Sequence, residues 1–341
     1  MRKLVFAVIL LLTIVFVLTR TADIEQVVRT FQRGDPRWLA LAVLVHIVSL
    51  VNLGVLLRAV YRVLGMDESP GRLALVVMAS TFVTVVTSSG GWGGVAVFVA
   101  DGRRRGLSTG RVAVAAAVYY LFDFISGMII IALGLIVLLR RNRLEGGELA
   151  AAAVLAAYIL VLVVCLYIGL RSPERLGRLL ASAGRWINRL LRPIVRRDYI
   201  DVSRAPQLAL DMGAGLHDAR RTPEGLILPA ALALSHKAMM ISVLFLVFLA
   251  FRQPFTVGAL IAGYGLAYLF MVVTPTPAGI GFVEGLMTLA LSGLEVPLAS
   301  AAVITLAYRG ITLWLFLLYG MIAFRWIGVG SAAPPNATPG P

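Results

Sequence analysis

Charge is what this chain has least of. Only 14% of its 341 residues are Asp, Glu, Lys or Arg, against about a quarter in an ordinary soluble domain. Lysine is nearly missing: Lys3 and Lys237 are the two present, and the remaining basic side chains are arginines. The single cysteine, Cys165, sits in an apolar run, which excludes a disulfide framework and a cysteine-based metal site. The three histidines, His46, His217 and His236, are far apart and match no metal-binding spacing. There is no P-loop, so this chain is not expected to hydrolyse ATP, and no cofactor is expected.

What is present is apolar. Hydrophobic residues make up 60% of the chain and the mean hydropathy is +0.91. That excludes a soluble globular protein and a disordered one. A net charge of +14 would point to nucleic acid in a soluble protein. Here it reports arginine-rich loops, which collect on the cytoplasmic side of membrane proteins, and no nucleic-acid partner is expected.

A spanning helix needs about 20 apolar residues. Six segments meet or approach this: 4–19, 38–57, 112–139, 149–170, 226–250 and 298–321. The first, behind Arg2 and Lys3, also has the form of a signal-peptide core. The following Thr19-Arg20-Thr21-Ala22 lacks a clean cleavage site, so a retained anchor is expected. The loop 171–225 holds eleven arginines against six acidic residues and is expected to be cytoplasmic, with both termini on that side. Arg140, Arg141 and Arg143 then fall outside, against the rule.

Two further apolar stretches are broken by turns. Residues 73–87 run into Ser88-Ser89-Gly90-Gly91-Trp92-Gly93-Gly94 and a second stretch, and 255–273 run into Thr274-Pro275-Thr276-Pro277-Ala278-Gly279-Ile280-Gly281 and a second stretch, 282–294. The last is about 20 Å of helix, too short to cross alone. Glycine supplies positive φ and proline sits where no donor is needed. Both segments are therefore read as re-entrant hairpins, 73–100 and 255–294; ordinary extramembrane loops are the competing reading. Free N–H groups at the start of each second arm would attract an anion.

Sliding the chain by 187 residues lays Val85-Val86-Thr87 on Val272-Val273-Thr274, Gly94 on Gly281, and Gly106-Leu107 on Gly293-Leu294. The chain is accordingly read as two half-repeats, 1–148 and 149–325, followed by a disordered tail, 326–341. Each half crosses an odd number of times, so the second is inverted, an architecture that recurs in transporters. The expected fold is an all-α integral membrane protein with six spanning helices plus two re-entrant helical hairpins in an inverted repeat.

Charges inside a span are costly, about 2.5–3.5 kcal/mol at a helix centre, and mark function by default. Asp123 and Arg309 stand out. The 187-residue shift puts Arg309 one position from Asp123, so the two are expected to face each other, either as a gate or as a fixed pair. Glu284, three residues past Gly281, would cap the second arm, bind a cationic headgroup or carry a proton. His236-Lys237 lies close to Pro229, and Lys237 is expected to snorkel to the cytoplasmic face rather than face a cavity. Arg58 and Arg62 end the second span, where a lipid phosphate or simple positive-inside anchoring would hold them. Residues 175–195 alternate Leu and Ile with Arg at helical spacing, a basic amphipathic helix suited to an anionic leaflet or to packing on the inner ends of the spans.

Thr274-Pro275-Thr276-Pro277-Ala278-Gly279-Ile280-Gly281-Phe282-Val283-Glu284 resembles the P-x-P-G-G-x-G-x-x-E signature of the lysylphosphatidylglycerol synthase transmembrane region, or flippase-like domain, family. Arg58 and Arg62, the Gly90-Gly91-x-Gly93-Gly94 turn, the basic run Arg103-Arg104-Arg105, Asp123, Gly293 and Arg309 follow the family order. Ala278 replaces the first glycine of the Pro-Gly-Gly, and Ser88-Ser89 stands where proline is usual. The resemblance implies lipid translocation and not lipid synthesis, because no soluble transferase domain follows the membrane region in this sequence. An enzyme is not expected. The site residues it implies are Arg58, Gly90, Gly91, Gly94, Asp123, Thr274, Pro275, Pro277, Gly279, Gly281, Glu284 and Arg309. The implied partners are membrane lipids, anionic or polyprenyl-phosphate-linked, with a separate lipid-modifying transferase as a further candidate. An accessory subunit or a lipid-modifying enzyme of envelope synthesis is the competing function.

Overall fold

A computed structural model of the chain describes residues 29–87, 92–141, 146–172, 174–179, 181–182, 185, 206, 209–214, 217, 223–274 and 276–327. Every regular element among them is helical. In chain order these are α1 (Pro36–Val63), α2 (Pro70–Thr87), α3 (Trp92–Arg104), α4 (Thr109–Arg140), α5 (Gly146–Arg171), a 3-10 turn (Pro223–Leu226) leading into α6 (Ile227–Ala250), α7 (Val257–Val273), a 3-10 turn (Pro277–Gly279), α8 (Phe282–Gly293) and α9 (Leu298–Arg309). A π-helical stretch (Gly310–Leu315) then joins α9 to α10 (Phe316–Ile327).

Among the described residues, five helices are long and apolar enough to cross a membrane: Pro36–Val63, Thr109–Arg140, Gly146–Arg171, Glu224–Ala250 and Leu298–Ile327. They coincide with five of the six expected spans. The sixth, 4–19, lies outside the described residues, as does most of the amphipathic stretch 175–195. α5 shows most of its apolar side chains outward, among them Val154, Leu160, Val161 and Val164, as a helix apolar all round must when lipid is its solvent.

Local chemistry sets the boundaries. Asp35 caps α1 by accepting from Arg37 N–H at 3.0 Å, with Pro36 in the first position, where its missing donor costs nothing. Ser108 caps α4 and Thr256 caps α7 in the same way. Gly106, at φ 72°, ends α3, and Leu107 N–H reaches back to Gly102 O at 3.0 Å.

α2 and α3 pack on each other across a short connection, and so do α7 and α8. Their bases lie at opposite ends of the bundle. Arg72 pairs with Asp101 at 2.6 Å and Arg105 with Glu68 at 2.5 Å, closing the base of α2–α3 beside the end of α10, where Arg104 donates to Ile327 O at 3.1 Å. At the other end Gly258 packs against Val137, and Arg141 pairs with Glu295 at 3.6 Å. This closes the base of α7–α8 beside the end of α4.

The element bounds recur at the 187-residue offset. α1 falls on 223–250, the 3-10 turn plus α6; α2 falls on 257–274, α7; and α4 falls on 296–327, nearly the whole of α9 through α10. α1 and α6 pack antiparallel: the start of α1 meets the end of α6 through Asp35 N–H to Ala250 O at 2.9 Å, and Asn52 donates to Leu232 O at 2.9 Å further along. α2 packs on α10 and α7 on α4, so each hairpin leans on the last span of the other half. α5 has no counterpart in this matched set and stands between the two units. Small residues bring α4 and α7 together: a Cβ at Gly127 would overlap the Tyr268 ring, and one at Gly265 would press on the Ile130–Ile131 backbone.

Candidate functional site

The end of α2, the first arm of one hairpin, meets the turn of the other inside the bundle. Val85, near the end of α2, packs with Ile280 from the second turn and Leu313 from the π-helical stretch, with Ala278, Trp314 and Leu317 around them. Gly90, Gly91 and Pro275 lie outside the described residues. Gly94 is buried in the first turn of α3, where a Cβ would strike the hydroxyls of Tyr120, Ser80 and Thr84. Glycine at this position lets the second arm approach a patch of hydroxyls.

The second turn is built by left-handed backbone. Thr274 ends α7 in extended conformation, and Pro277 opens the 3-10 turn. Ala278, Gly279 and Gly281 follow at φ 48°, 70° and 87°. Ala278 thus occupies a conformation that costs an L-residue about 1–2 kcal/mol. Ala278→Gly relieves this at the cost of a more flexible unfolded chain. The net expectation is a gain of about 0.5–1 kcal/mol, read as a higher unfolding midpoint in detergent; an unchanged or lower midpoint would show the turn to be unstrained.

Glu284 does two things at once. Its Oε2 accepts from Gly281 N–H at 2.8 Å at the start of α8, and its Oε1 accepts from Arg309 Nε at 2.9 Å. Arg309 Nη2 also donates to Ala278 O at 2.9 Å. One guanidinium therefore ties the last span to both the carboxylate and the backbone of the hairpin turn. The Arg309 side chain is 5% exposed and that of Glu284 21%. Arg309 stands at the entry to the π-helical stretch, an irregularity that recurs at functional sites.

Asp123 has other partners, which overturns the expected Asp123–Arg309 pair. Lys237 Nζ donates to Asp123 Oδ1 at 2.5 Å and Tyr268 OH to Oδ2 at 2.7 Å. Lys237 Nζ also sits 3.9 Å from the centre of the Tyr268 ring, a cation–π distance. The reason is rotational. The offset puts Arg309 on position 122, and neighbouring residues on a helix point about 100° apart. Asp123 therefore turns toward α6 and α7, while Arg309 turns toward the hairpin.

Lys237 does not snorkel. Its side chain is 1% exposed, because the span begins at Glu224 and carries Lys237 about 20 Å from its entrance, on the face packed against α4. Arg58 is also away from the other candidates: with Arg62 it surrounds Asp67 at the end of α1, at 3.3 Å and 3.4 Å.

In both central pairs the cation is buried and the carboxylate keeps an accessible face, 22% for Asp123 and 21% for Glu284. Tyr264 lies within electrostatic reach of both Asp123 and Tyr308, the residue before Arg309. Hydropathy alone flags Lys237, but it gives no sign of Tyr268, Tyr264 or Tyr308.

The site thus combines an arginine buried where two hairpins meet, a second buried ion pair, and a turn carrying the Pro-x-Pro signature. The family described as the lysylphosphatidylglycerol synthase TM region matches residues 4–320. Comparison with curated proteins and with solved structures gave no match. With the match covering nearly the whole chain, the protein belongs to the lysylphosphatidylglycerol synthase transmembrane region family and is a multi-pass membrane protein.

Proposed function

We propose that the protein is a lipid carrier that moves a phosphate-bearing headgroup between leaflets while the acyl chains stay in the bilayer. In this reading the chain has six spans, the sixth being 4–19. The two hairpins enter the membrane from opposite faces, α2–α3 from the cytoplasm and α7–α8 from outside. α5 supplies the single crossing that inverts the second half relative to the first, and both termini are cytoplasmic.

The observation that carries the reading is Arg309, buried against the second hairpin turn where α2 of the first hairpin packs on it, and bound to a carboxylate that is itself partly accessible. A buried guanidinium recognises phosphate oxygens as it recognises carboxylates, through paired N–H groups. An incoming lipid phosphate competes with Glu284 for Arg309. Glu284 keeps its hydrogen bond from Gly281 N–H when displaced, so the exchange does not strand a carboxylate. The gate is then Arg309–Glu284.

Purified protein in liposomes with fluorescent lipids of differing headgroup tests this. The expected result is leaflet exchange of phosphate-bearing lipids above that of empty liposomes. Exchange equal to empty liposomes across a broad headgroup panel would refute the carrier.

A further inference from the structure

The second buried pair has no task in the gate just described. Asp123 lies midway along α4, a helix of 32 residues, so its carboxylate is roughly 20 Å from either end. The titratable groups around it come from most of the elements packed on α4. α6 brings Lys237 and His236, α7 brings Tyr268 and Tyr264, and α1 brings His46, within electrostatic reach of His236. α5 brings Tyr158, whose ring lies 5.3 Å from that of Phe124. α3 meets α4 here through Phe98, against Tyr119 and Tyr120. α9 brings Tyr308 on the far side of Tyr264.

Two features set this group apart from a structural ion pair. First, His46 is 3% exposed and neither of its ring nitrogens has a hydrogen-bond partner. His236 is hydrogen-bonded to the main chain at Ser49, while its Nδ1 is buried and unpartnered. Two imidazoles with open nitrogens next to a charged pair can pass a proton, whereas apolar side chains would fill the same space without a desolvation cost. Second, the cation of the pair is an amine. A guanidinium fork would clamp both carboxylate oxygens, but an ammonium is a compact point charge, and here it also has the Tyr268 ring face to rest on when the carboxylate lets go.

We propose that Asp123, held by Lys237 and Tyr268 with His236 beside it and His46 behind His236, is a proton-binding site inside the bundle. A proton passes from an imidazolium N–H to a carboxylate oxygen of Asp123. The N–H bond breaks, an O–H bond forms, the imidazole returns to neutral, and no electrons are transferred. The pair changes from net neutral to net +1, with Lys237 retained over the Tyr268 ring. The gained positive charge draws an anionic headgroup toward the neighbouring Arg309. By linkage, a bound anion then raises the affinity of Asp123 for its proton. That coupling rests on the carrier reading; the proton site itself does not.

The test uses the full-length protein in weakly buffered detergent with a pH-indicator dye, and a soluble short-chain anionic phospholipid as the probe. Wild type is expected to take up about one proton per chain on a downward pH step that Asp123→Asn does not take up, and more of it when the probe is present. An infrared difference spectrum of wild type is expected to show a protonated carboxyl band that persists in Glu284→Gln. This second readout needs no Asp123 variant and stands even if that variant fails to fold. His46→Gln is expected to slow the uptake about tenfold without changing its size, because it alters the route and leaves the acceptor.

Equal proton uptake by wild type and Asp123→Asn, with no carboxyl band surviving in Glu284→Gln, would overturn the proposal and leave the pair a fixed joint. Proton uptake in detergent without lipid exchange in liposomes would refute the carrier alone. Lipid exchange with no Asp123-dependent uptake would refute the proton site alone.

Discussion

Arg309→Gln is expected to lower the proposed lipid exchange in liposomes by roughly 10- to 100-fold, the equivalent of one lost charge-assisted contact of about 1.5–3 kcal/mol. Glutamine keeps an amide donor for Ala278 O but loses the positive charge and the fork that joins Ala278 O to Glu284. Arg309→Lys does not restore the rate, because an ammonium is a point charge and does not reproduce the Nε and Nη2 directions that serve the two acceptors. Glu284→Gln has a smaller effect on exchange. Its amide still caps Gly281 poorly, yet Arg309 is left free for phosphate, so binding of an anionic lipid tightens while release slows. Equal exchange by wild type and Arg309→Gln would show that the headgroup passes elsewhere.

Lys237→Met destabilises the protein by about 3 kcal/mol, the low end of what breaking a buried ion pair costs. The low end applies because Asp123 keeps its bond from Tyr268 and a partly accessible face. Methionine fills the volume of the lysine stem, so little of the loss is a cavity. Asp123→Asn added to Lys237→Met recovers most of the stability, since no unpaired charge then remains between α4, α6 and α7. The measurement is the unfolding midpoint of the three proteins in the same detergent. A single Lys237→Met variant as stable as wild type would mean that the pair contributes nothing to holding the helices together.

Much of the architecture is legible in the sequence because the bilayer imposes lengths. Runs near 20 apolar residues mark the spans, and the Gly-rich and Pro-x-Pro turns mark the breaks between the hairpin arms. The 187-residue offset between Gly94 and Gly281 carries over to the helix bounds. Side-chain pairing is another matter. Asp123 and Lys237 are separated by 114 residues, and whether they meet depends on how α4 and α6 are rotated about their own axes. Hydropathy fixes depth but not rotation in helices that are apolar on every face. A one-residue shift at Asp123 therefore misdirected the expected Asp123–Arg309 pair, and counting Lys237 from Pro229 in place of Glu224 made a buried lysine look like an interfacial one. The Glu284–Arg309 pair was in view as two residues of one signature, but their contact depends on the left-handed turn through Ala278, Gly279 and Gly281.

The two hairpins are proposed to reach into the membrane from opposite faces and to meet beside Arg309. Two positions report on it with little disturbance: Gly285, where a Cβ meets nothing within 4 Å, and Ala96, which is exposed early in α3. In a Cys165→Ser background, Gly285→Cys and Ala96→Cys each carry one nitroxide label in liposomes, and paramagnetic collision with oxygen and with a water-soluble nickel complex gives its depth. Both labels are expected to lie at the depth of the hydrocarbon region. Either label at the depth of bulk water would contradict this arrangement.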